Sequence, residues 1–150
     1  MRKLMMTDDD KSRFVVRLLL GLVMFPHGAQ KLLGWFGGHG YSGTMEFFQT
    51  QLGLPAIVVI LVIAAEFFGA LGLIVGFLGR VAAFGILCVM LGAMFMIHLE
   101  VGFFMNWYGA QQGEGYEYHL LAIGMALAVI IGGSGAFSVD RAITRGASPR

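Results

Sequence analysis

Residues 55–78, PAIVVILVIAAEFFGALGLIVGFL, contain one ionisable side chain, Glu66, among 24 positions. A helix needs about 20 apolar residues to cross the hydrocarbon core of a bilayer. Pro55 suits the first turn of such a helix, where its missing N–H has no helical partner. This stretch therefore predicts a transmembrane helix, and the fold class follows from it.

Three other segments have the same character, at residues 14–36, 81–105 and 116–133. The 150-residue chain is 57% apolar and only 13% charged, whereas soluble domains carry about a quarter charged residues. We therefore predict an all-α integral membrane bundle of four helices. The net charge of +1 and the lack of a basic patch argue against nucleic-acid binding. The single cysteine, Cys88, rules out an internal disulfide or a thiolate metal cage, and we expect it to be buried and inert.

The basic residues predict the orientation of the four spans. Nine of the ten lie before the first span, between the second and third, or after the fourth: Arg2, Lys3, Lys11, Arg13, Arg17, Arg80, Arg141, Arg145 and Arg150. The positive-inside rule then places both termini in the cytoplasm of a bacterial inner membrane. The predicted division is a cytoplasmic segment 1–13, a membrane domain 14–137 and a cytoplasmic segment 138–150. A cleaved signal peptide is the alternative for the N-terminus, and the acidic residues at 8–10 argue against it.

Short elements are expected outside the spans. Thr44 could cap a short helix in the first outer connection, with Met45, Phe48 and Leu52 on one face, typical of a helix lying in the membrane interface. Ser138 could cap a terminal helix after the glycines at 132–135. Small residues at helical spacing predict close helix packing: Ala65, Gly69, Gly72 and Gly76, then Gly85 and Gly92, then Gly21 and Gly28.

Several ionisable residues lie at membrane depth, where they need partners and usually face the protein interior. Glu66 comes 11 residues after Pro55, about 16 Å along a helix, near the membrane midplane. Because successive spans run in opposite directions, the others fall between that level and the outer interface: His27, Lys31, His98 and His119. We therefore expect a shared polar cluster in the outer half of the bundle.

Proton exchange is the chemistry that such a cluster favours. Quinone reduction consumes two protons with two electrons, and Glu66 with His27 could exchange them, supported by His98 and Lys31. The ring would contact His119, Tyr116, Trp107 and Phe104, with Phe103 and Tyr118 nearby. Three alternatives stay open: a purely structural cluster, haem held by His27 and His98, and a proton-coupled transporter. No metal site is predicted.

Three stretches resemble the DoxX family. Residues 17–38, RLLLGLVMFPHGAQKLLGWFGG, are similar to its first span, and residues 64–80, AAEFFGALGLIVGFLGR, to its second. Residues 116–141, YEYHLLAIGMALAVIIGGSGAFSVDR, are similar to its fourth span and closing motif. The positions that match the family motifs are His27, Gly28, Lys31, Glu66, Tyr116, Glu117, Ser138 and Asp140.

The resemblance implies a small bacterial inner-membrane protein, related to subunits of thiosulfate:quinone oxidoreductases and to membrane partners of thiol-redox systems. We therefore expect a membrane subunit of a redox system that handles quinone or another small redox molecule. Its expected partners are the lipid bilayer and either a membrane or periplasmic protein or a second copy of the chain. The rival hypothesis is a non-enzymatic membrane anchor that assembles a partner complex.

Overall fold

The computed structural model describes residues 2–145, which form helices joined by turns and loops. No strand occurs in that range, which confirms the all-α prediction. A 3₁₀ turn, Trp35–Gly37, joins two of the helices, and Arg150 lies outside the described residues. The helices are α1 Arg2–Met5, α2 Lys11–Leu33, α3 Gly40–Gln51, α4 Ala56–Val75, α5 Gly79–His98, α6 Glu117–Gly132 and α7 Val139–Arg145.

Each of the four predicted apolar segments contains a helix. With 23, 20 and 20 residues, α2, α4 and α5 are long and apolar enough to cross a membrane. The apolar helix α6 has 16 residues and is about 24 Å long. Large apolar side chains cover the outside of these helices, including Leu22, Ile57, Leu61, Phe84, Leu121 and Ile131. Such an extensive apolar surface suits contact with lipid.

The ends of α2 follow from capping. The helix α2 begins at Lys11, earlier than predicted, because the Asp10 carboxylate accepts hydrogen bonds from the backbone N–H groups of Ser12 and Arg13. A hydrogen bond from the Ser12 hydroxyl, 2.5 Å away, and then these backbone bonds hold the pKa of Asp10 below its usual 3.8. The helix ends at Leu33 because Gly34 adopts a left-handed conformation, with φ of 75°.

The third predicted segment is shorter than expected. The helix α5 ends at His98, not near Met105. The following residues bond instead to the start of α6: the N–H groups of Tyr116 and Glu117 donate to the carbonyls of Gly102 and Phe103 at 3.1 and 2.9 Å. These long-range hydrogen bonds turn the chain away from the helix axis.

The glycine predictions divide into two groups. Gly69 and Gly72 lie against Ala82, and Gly85 lies against Ala65, so this stripe does bring α4 and α5 together. The same holds for α2, where a Cβ on Gly28 would lie 2.5 Å from the backbone of Glu66, and one on Gly21 would lie 3.0 Å from the backbone of Ile74.

Two glycines were assigned wrongly. Gly76 takes a left-handed φ of 71° and ends α4, so its role is in the turn and not in the stripe. Gly92 has no atom within 4 Å of a Cβ built on it, so it makes no close helix contact.

The predicted short helix between the first two spans is present as α3. It begins at Gly40, so Thr44 lies inside it and donates its hydroxyl to the Lys31 carbonyl at 3.1 Å. The predicted faces are correct: Phe48 and Leu52 are partly buried, and Glu46 is exposed. This bond and these apolar contacts hold α3 against the end of α2.

The two ends of the chain meet at one end of the fold, around the buried side chain of Arg17. Its guanidinium donates to five carbonyls, those of Ser134, Leu73, Ile74, Ala136 and Phe137. Those carbonyls belong to the end of α4 and to the segment after α6, so one side chain ties three parts of the chain together.

Asp140 completes this arrangement from the start of α7. Its buried carboxylate accepts from the N–H groups of Leu78 and Gly79, at 2.8 and 3.0 Å, and from the Ser134 hydroxyl at 2.6 Å. Ser138 caps α7 as predicted, accepting from the N–H of Arg141 at 3.2 Å. We call Arg17, Ser134 and Asp140, with the backbone groups they bond, the terminal clamp.

Candidate functional site

Away from the terminal clamp, α2 and α4 are joined by a buried ion pair. The Nζ atom of Lys31, near the end of α2, lies 2.5 Å from Oε2 of Glu66. Glu66 is only 3% exposed and sits on a π-helical turn, Ala65–Gly69, that interrupts α4. Such turns are rare and occur often at functional sites. The missing side chain of Gly28 lets the α2 backbone approach the Glu66 backbone closely.

Two histidines stack beside this pair. The imidazoles of His98 and His119 lie 4.1 Å apart between ring centroids. His98 ends α5 on a second π-helical turn, Met94–His98, and its Nδ1 lies 2.7 Å from the Glu114 carbonyl. His119, in the first turn of α6, is 5% exposed, and its Nδ1 has no hydrogen-bond partner among the described residues.

An unpartnered buried nitrogen destabilises a fold by about 1–3 kcal/mol, because the group has lost its hydrogen bonds to water. This His119 nitrogen is therefore a candidate partner for a ligand.

His27 and Tyr118 extend the group. The His27 ring lies 6.2 Å from the Tyr118 ring, which in turn lies 5.5 Å from the His119 ring. The Tyr118 hydroxyl donates to the sulfur of Met24 at 3.4 Å. We call His27, Lys31, Glu66, His98 and His119 the polar cluster.

All five members of the polar cluster line a single cavity of about 880 Å³. This volume lies within the range of about 300–1,000 Å³ that is usual for ligand sites. The rest of the lining is mainly apolar and comes from α2, α3, α4, α5 and the loop before α6: Met24, Phe48, Leu52, Val58, Leu61, Ala82, Phe84, Gly92, Met96, Met105 and others. An apolar cavity with a few convergent polar groups is the usual form of a small-molecule site.

Three residues predicted to contact the ring of a ligand lie outside this cavity. Phe104 and Trp107 are exposed on the loop between α5 and α6, and the Trp107 Nε1 donates to Glu117 at 3.2 Å. Tyr116 packs edge-on against Phe103, with 5.4 Å between ring centroids. None of these residues is among those that line the cavity. Of the predicted ring contacts, the structure brings His119 and Tyr118 to the cavity wall.

The apolar wall of the cavity contains features that we did not predict. The partly buried face of α3 contributes Phe48 and Leu52, so this helix covers the site. Cys88 was expected to be buried but is exposed and lies on the wall that α5 contributes. The apolar face of α3 was visible in the sequence, but its position over the cavity depends on the Thr44 bond to α2.

Within residues 2–145, no group of three or more metal-binding side chains comes together. His98 already directs its Nδ1 to a backbone carbonyl and stacks on His119, which leaves its Nε2 for any ligand. The polar cluster offers groups for hydrogen bonding and proton exchange in a mainly apolar cavity.

The sequence pattern of the DoxX family matches residues 12–99. The chain belongs to the DoxX family. The matched range contains four members of the polar cluster and ends one residue after His98. His119 comes from the following helix, so the family match covers most of the cavity but not its unpartnered nitrogen.

Two curated relatives match along nearly their whole length. The inner membrane protein YqjF of Escherichia coli strain K12 is 28% identical over 137 residues, covering 91% of this chain and 95% of that protein. The putative oxidoreductase CatD of Bacillus subtilis strain 168 is 25% identical over 132 residues, covering 88% and 87%. No solved structure matches the chain.

Proposed function

We propose that this DoxX-family membrane protein is a four-span protein of the bacterial inner membrane with both termini in the cytoplasm. The N-terminal and C-terminal segments lie at the same end of the fold, since Asp9 pairs with Arg141 and Arg145. Most basic residues also belong to that end, whereas Lys31 lies at the other. The name of the relative YqjF supports the location. Alkaline phosphatase fused after residue 145 should be inactive and a fluorescent protein there should fluoresce; the reverse would contradict this orientation.

We further propose that the cavity binds a quinone and that the chain is a membrane subunit of a redox system. One observation carries the proposal: ionisable side chains from α2, α4, α5 and α6 line one mainly apolar cavity. A quinone has a similar division, with two carbonyl oxygens on an apolar ring. His119 offers the nitrogen without a protein partner, and one quinone carbonyl would bond to it when the imidazole is protonated at Nδ1.

The chemistry of quinone reduction matches the ionisable groups of the cavity. A quinone that accepts two electrons must take up one proton at each oxygen to become a quinol. The donor of the electrons would be a partner protein of the redox system, and the protons would pass through Glu66, with Lys31 and the histidines beside it. The relative CatD is named a putative oxidoreductase, in agreement with this class of function.

A membrane anchor for a partner complex is the second candidate, and one surface favours it. The loop between α5 and α6 exposes Phe104, Trp107 and Tyr108, the last at 96%. Aromatic side chains are enriched both at membrane interfaces and at protein interfaces. An anchor would need this surface but would not need a ligand in the cavity.

Quinone binding to the purified protein in lipid nanodiscs would distinguish the two candidates. We expect Glu66→Gln and His119→Phe each to weaken binding about tenfold or more, about 1.4 kcal/mol, because each removes a polar contact at the ring. The matched controls are Glu46→Gln and His39→Phe, which make the same changes at exposed positions that do not line the cavity. These controls should bind as the wild type does.

Two results would contradict the quinone proposal. One is a folded wild-type protein that binds no quinone in nanodiscs, which would leave the anchor as the better account. The other is equal binding by the wild type, Glu66→Gln and His119→Phe, which would place the quinone outside this cavity.

A further inference from the structure

Gly92 lies within α5 at a position where helix packing does not require a glycine. A Cβ built there would have no atom within 4 Å, whereas one on Gly85 would lie 3.1 Å from Ala65. Glycine destabilises a helix interior by about 1 kcal/mol relative to alanine. Gly92 lines the cavity, so the open space beside it belongs to the cavity.

This open space continues as a groove between α4 and α5. On α5 the cavity lining runs from Val81 to His98, which is 17 residues or about 25 Å of helix. Small residues on both helices form much of this lining: Ala64, Ala65, Gly69, Ala82, Gly85, Gly92 and Ala93. Gly69 and Gly85 contact the facing helix at Ala82 and Ala65, and beyond these contacts, at Gly92, the lining leaves room for a narrow ligand.

The groove opens sideways, toward the surface that faces lipid. Leu61 of α4 and Phe84 and Met96 of α5 line the cavity and are also exposed at 61%, 58% and 50%. The same residues therefore border the cavity and the outside of the fold. A molecule dissolved in the bilayer could pass between them without crossing the polar surface of the membrane.

We propose that the groove between α4 and α5, widened at Gly92, holds the isoprenoid chain of a quinone whose ring lies at the polar cluster. A ligand without a chain would leave most of this apolar wall empty. A groove between one pair of helices fits a single hydrocarbon tail, which is what a quinone has. A phospholipid has two acyl tails, and the second would stay outside the groove. The proposal rests on the quinone function above and adds how the ligand is held and how it enters.

The test fills the groove at Gly92 and compares a quinone with its tail-free ring. Gly92→Leu places a side chain in the groove, and Gly92→Ala fills less of it. Gly124→Leu is the matched control, because a Cβ on Gly124 also meets no atom within 4 Å but this exposed residue does not line the cavity. Binding of decylubiquinone and of the same ring without a tail would be measured in nanodiscs, and bound lipids would be identified by mass spectrometry.

We expect Gly92→Leu to bind decylubiquinone about tenfold more weakly than the wild type, with a smaller loss for Gly92→Ala and none for Gly124→Leu. Gly92→Leu should still bind the tail-free ring as the wild type does, which also shows that the variant is folded. Quinone should remain with the purified wild type and Gly124→Leu but be lost from Gly92→Leu.

Each other outcome would overturn the proposal in a distinguishable way. If Gly92→Leu binds each of the two quinones as tightly as the wild type does, the proposed role of the groove would be wrong, and the proposal of quinone binding would stand. Failure of the wild type to bind either quinone would remove both proposals. A phospholipid retained by the wild type and lost from Gly92→Leu would show that the groove holds a different occupant.

Discussion

The terminal clamp and the polar cluster both contain buried ionisable side chains, yet their hydrogen bonding differs. In the clamp, Arg17 donates to five carbonyls and Asp140 accepts from three donors. In the cluster, Glu66 has a single described partner, Lys31, and the Nδ1 of His119 has none. The cluster lines a cavity of about 880 Å³, and none of the clamp side chains Arg17, Ser134 and Asp140 is part of that lining.

This difference suggests that the two groups serve different purposes. Where every bond of a buried charge is made within the protein, the charge orders the fold and leaves nothing for a ligand. Where bonds are left unmade beside a cavity, a ligand can complete them. One atom runs against the division: Nε of Arg80, near the clamp, is buried without a partner among the described residues. The Arg80 guanidinium still donates to the carbonyls of Ile130, Ile131 and Met6.

The largest effect should come from the clamp. Arg17→Met leaves five carbonyls without their donor, and we expect a loss of about 3 kcal/mol or more in the free energy of unfolding. Arg17→Lys should recover only part of it, because one ammonium cannot reach the five acceptors that a planar guanidinium reaches. Thermal unfolding in detergent measures both variants. An unchanged midpoint for Arg17→Met would show that the clamp does not hold the fold.

A change of opposite sign is expected at the cluster. His119→Phe removes a buried nitrogen without a partner and keeps an aromatic ring of similar shape. We therefore expect the free energy of unfolding to stay unchanged or to rise by up to about 1 kcal/mol. The same method and detergent apply. A loss as large as that of Arg17→Met would mean that His119 is part of the structural framework, and the distinction between the two regions would fail.

The smallest effect concerns Asp10 at the start of α2, outside the membrane-spanning part of that helix. Its pKa is held below 3.8 mainly by the hydrogen bond from the Ser12 hydroxyl, so the ionised form stabilises the fold. That stabilisation is present above pH 4 and is lost as the pH falls through the lowered pKa.

Asp10→Asn should therefore lower the unfolding midpoint slightly at pH 7, and the gap to the wild type should narrow as the pH falls below 3.8. A series of thermal unfolding curves across this pH range measures the gap. A gap that stays constant down to pH 3 would show that the carboxylate charge contributes nothing at this helix end.

The sequence was sufficient to predict the helices and to single out the members of the polar cluster. Helix rise and the predicted alternation of the spans give Glu66 and His98 a similar expected depth, and the structure brings both to one cavity. Depth does not fix direction around a helix axis. The π-helical turns at Ala65–Gly69 and Met94–His98 change that direction locally, and the residue pattern does not predict them.

Two differences from the sequence expectations have the same physical origin. Phe104, Trp107 and Tyr116 were expected at a ligand ring, but the segment between α5 and α6 reaches the cavity through Met105 and Glu114 instead. Gly92 has the spacing of a packing residue, but no neighbour approaches it. Both differences concern contacts between residues distant in sequence, which periodicity does not describe.

The pair Lys31–Glu66 tests most directly whether the cluster is kept for a ligand. Glu66→Gln alone leaves the Lys31 ammonium without its partner and should destabilise the protein by about 3 kcal/mol. The double variant Lys31→Met/Glu66→Gln removes both charges, so its free energy of unfolding should return to within about 1 kcal/mol of the wild-type value.

Quinone binding by the double variant is the decisive measurement, made in nanodiscs on protein whose unfolding midpoint has been checked in detergent. We predict that the double variant regains stability but binds quinone about tenfold more weakly than the wild type, because its ring site has lost the charged pair of Lys31 and Glu66. A double variant that regains stability and binds quinone as the wild type does would contradict the role given to this ion pair.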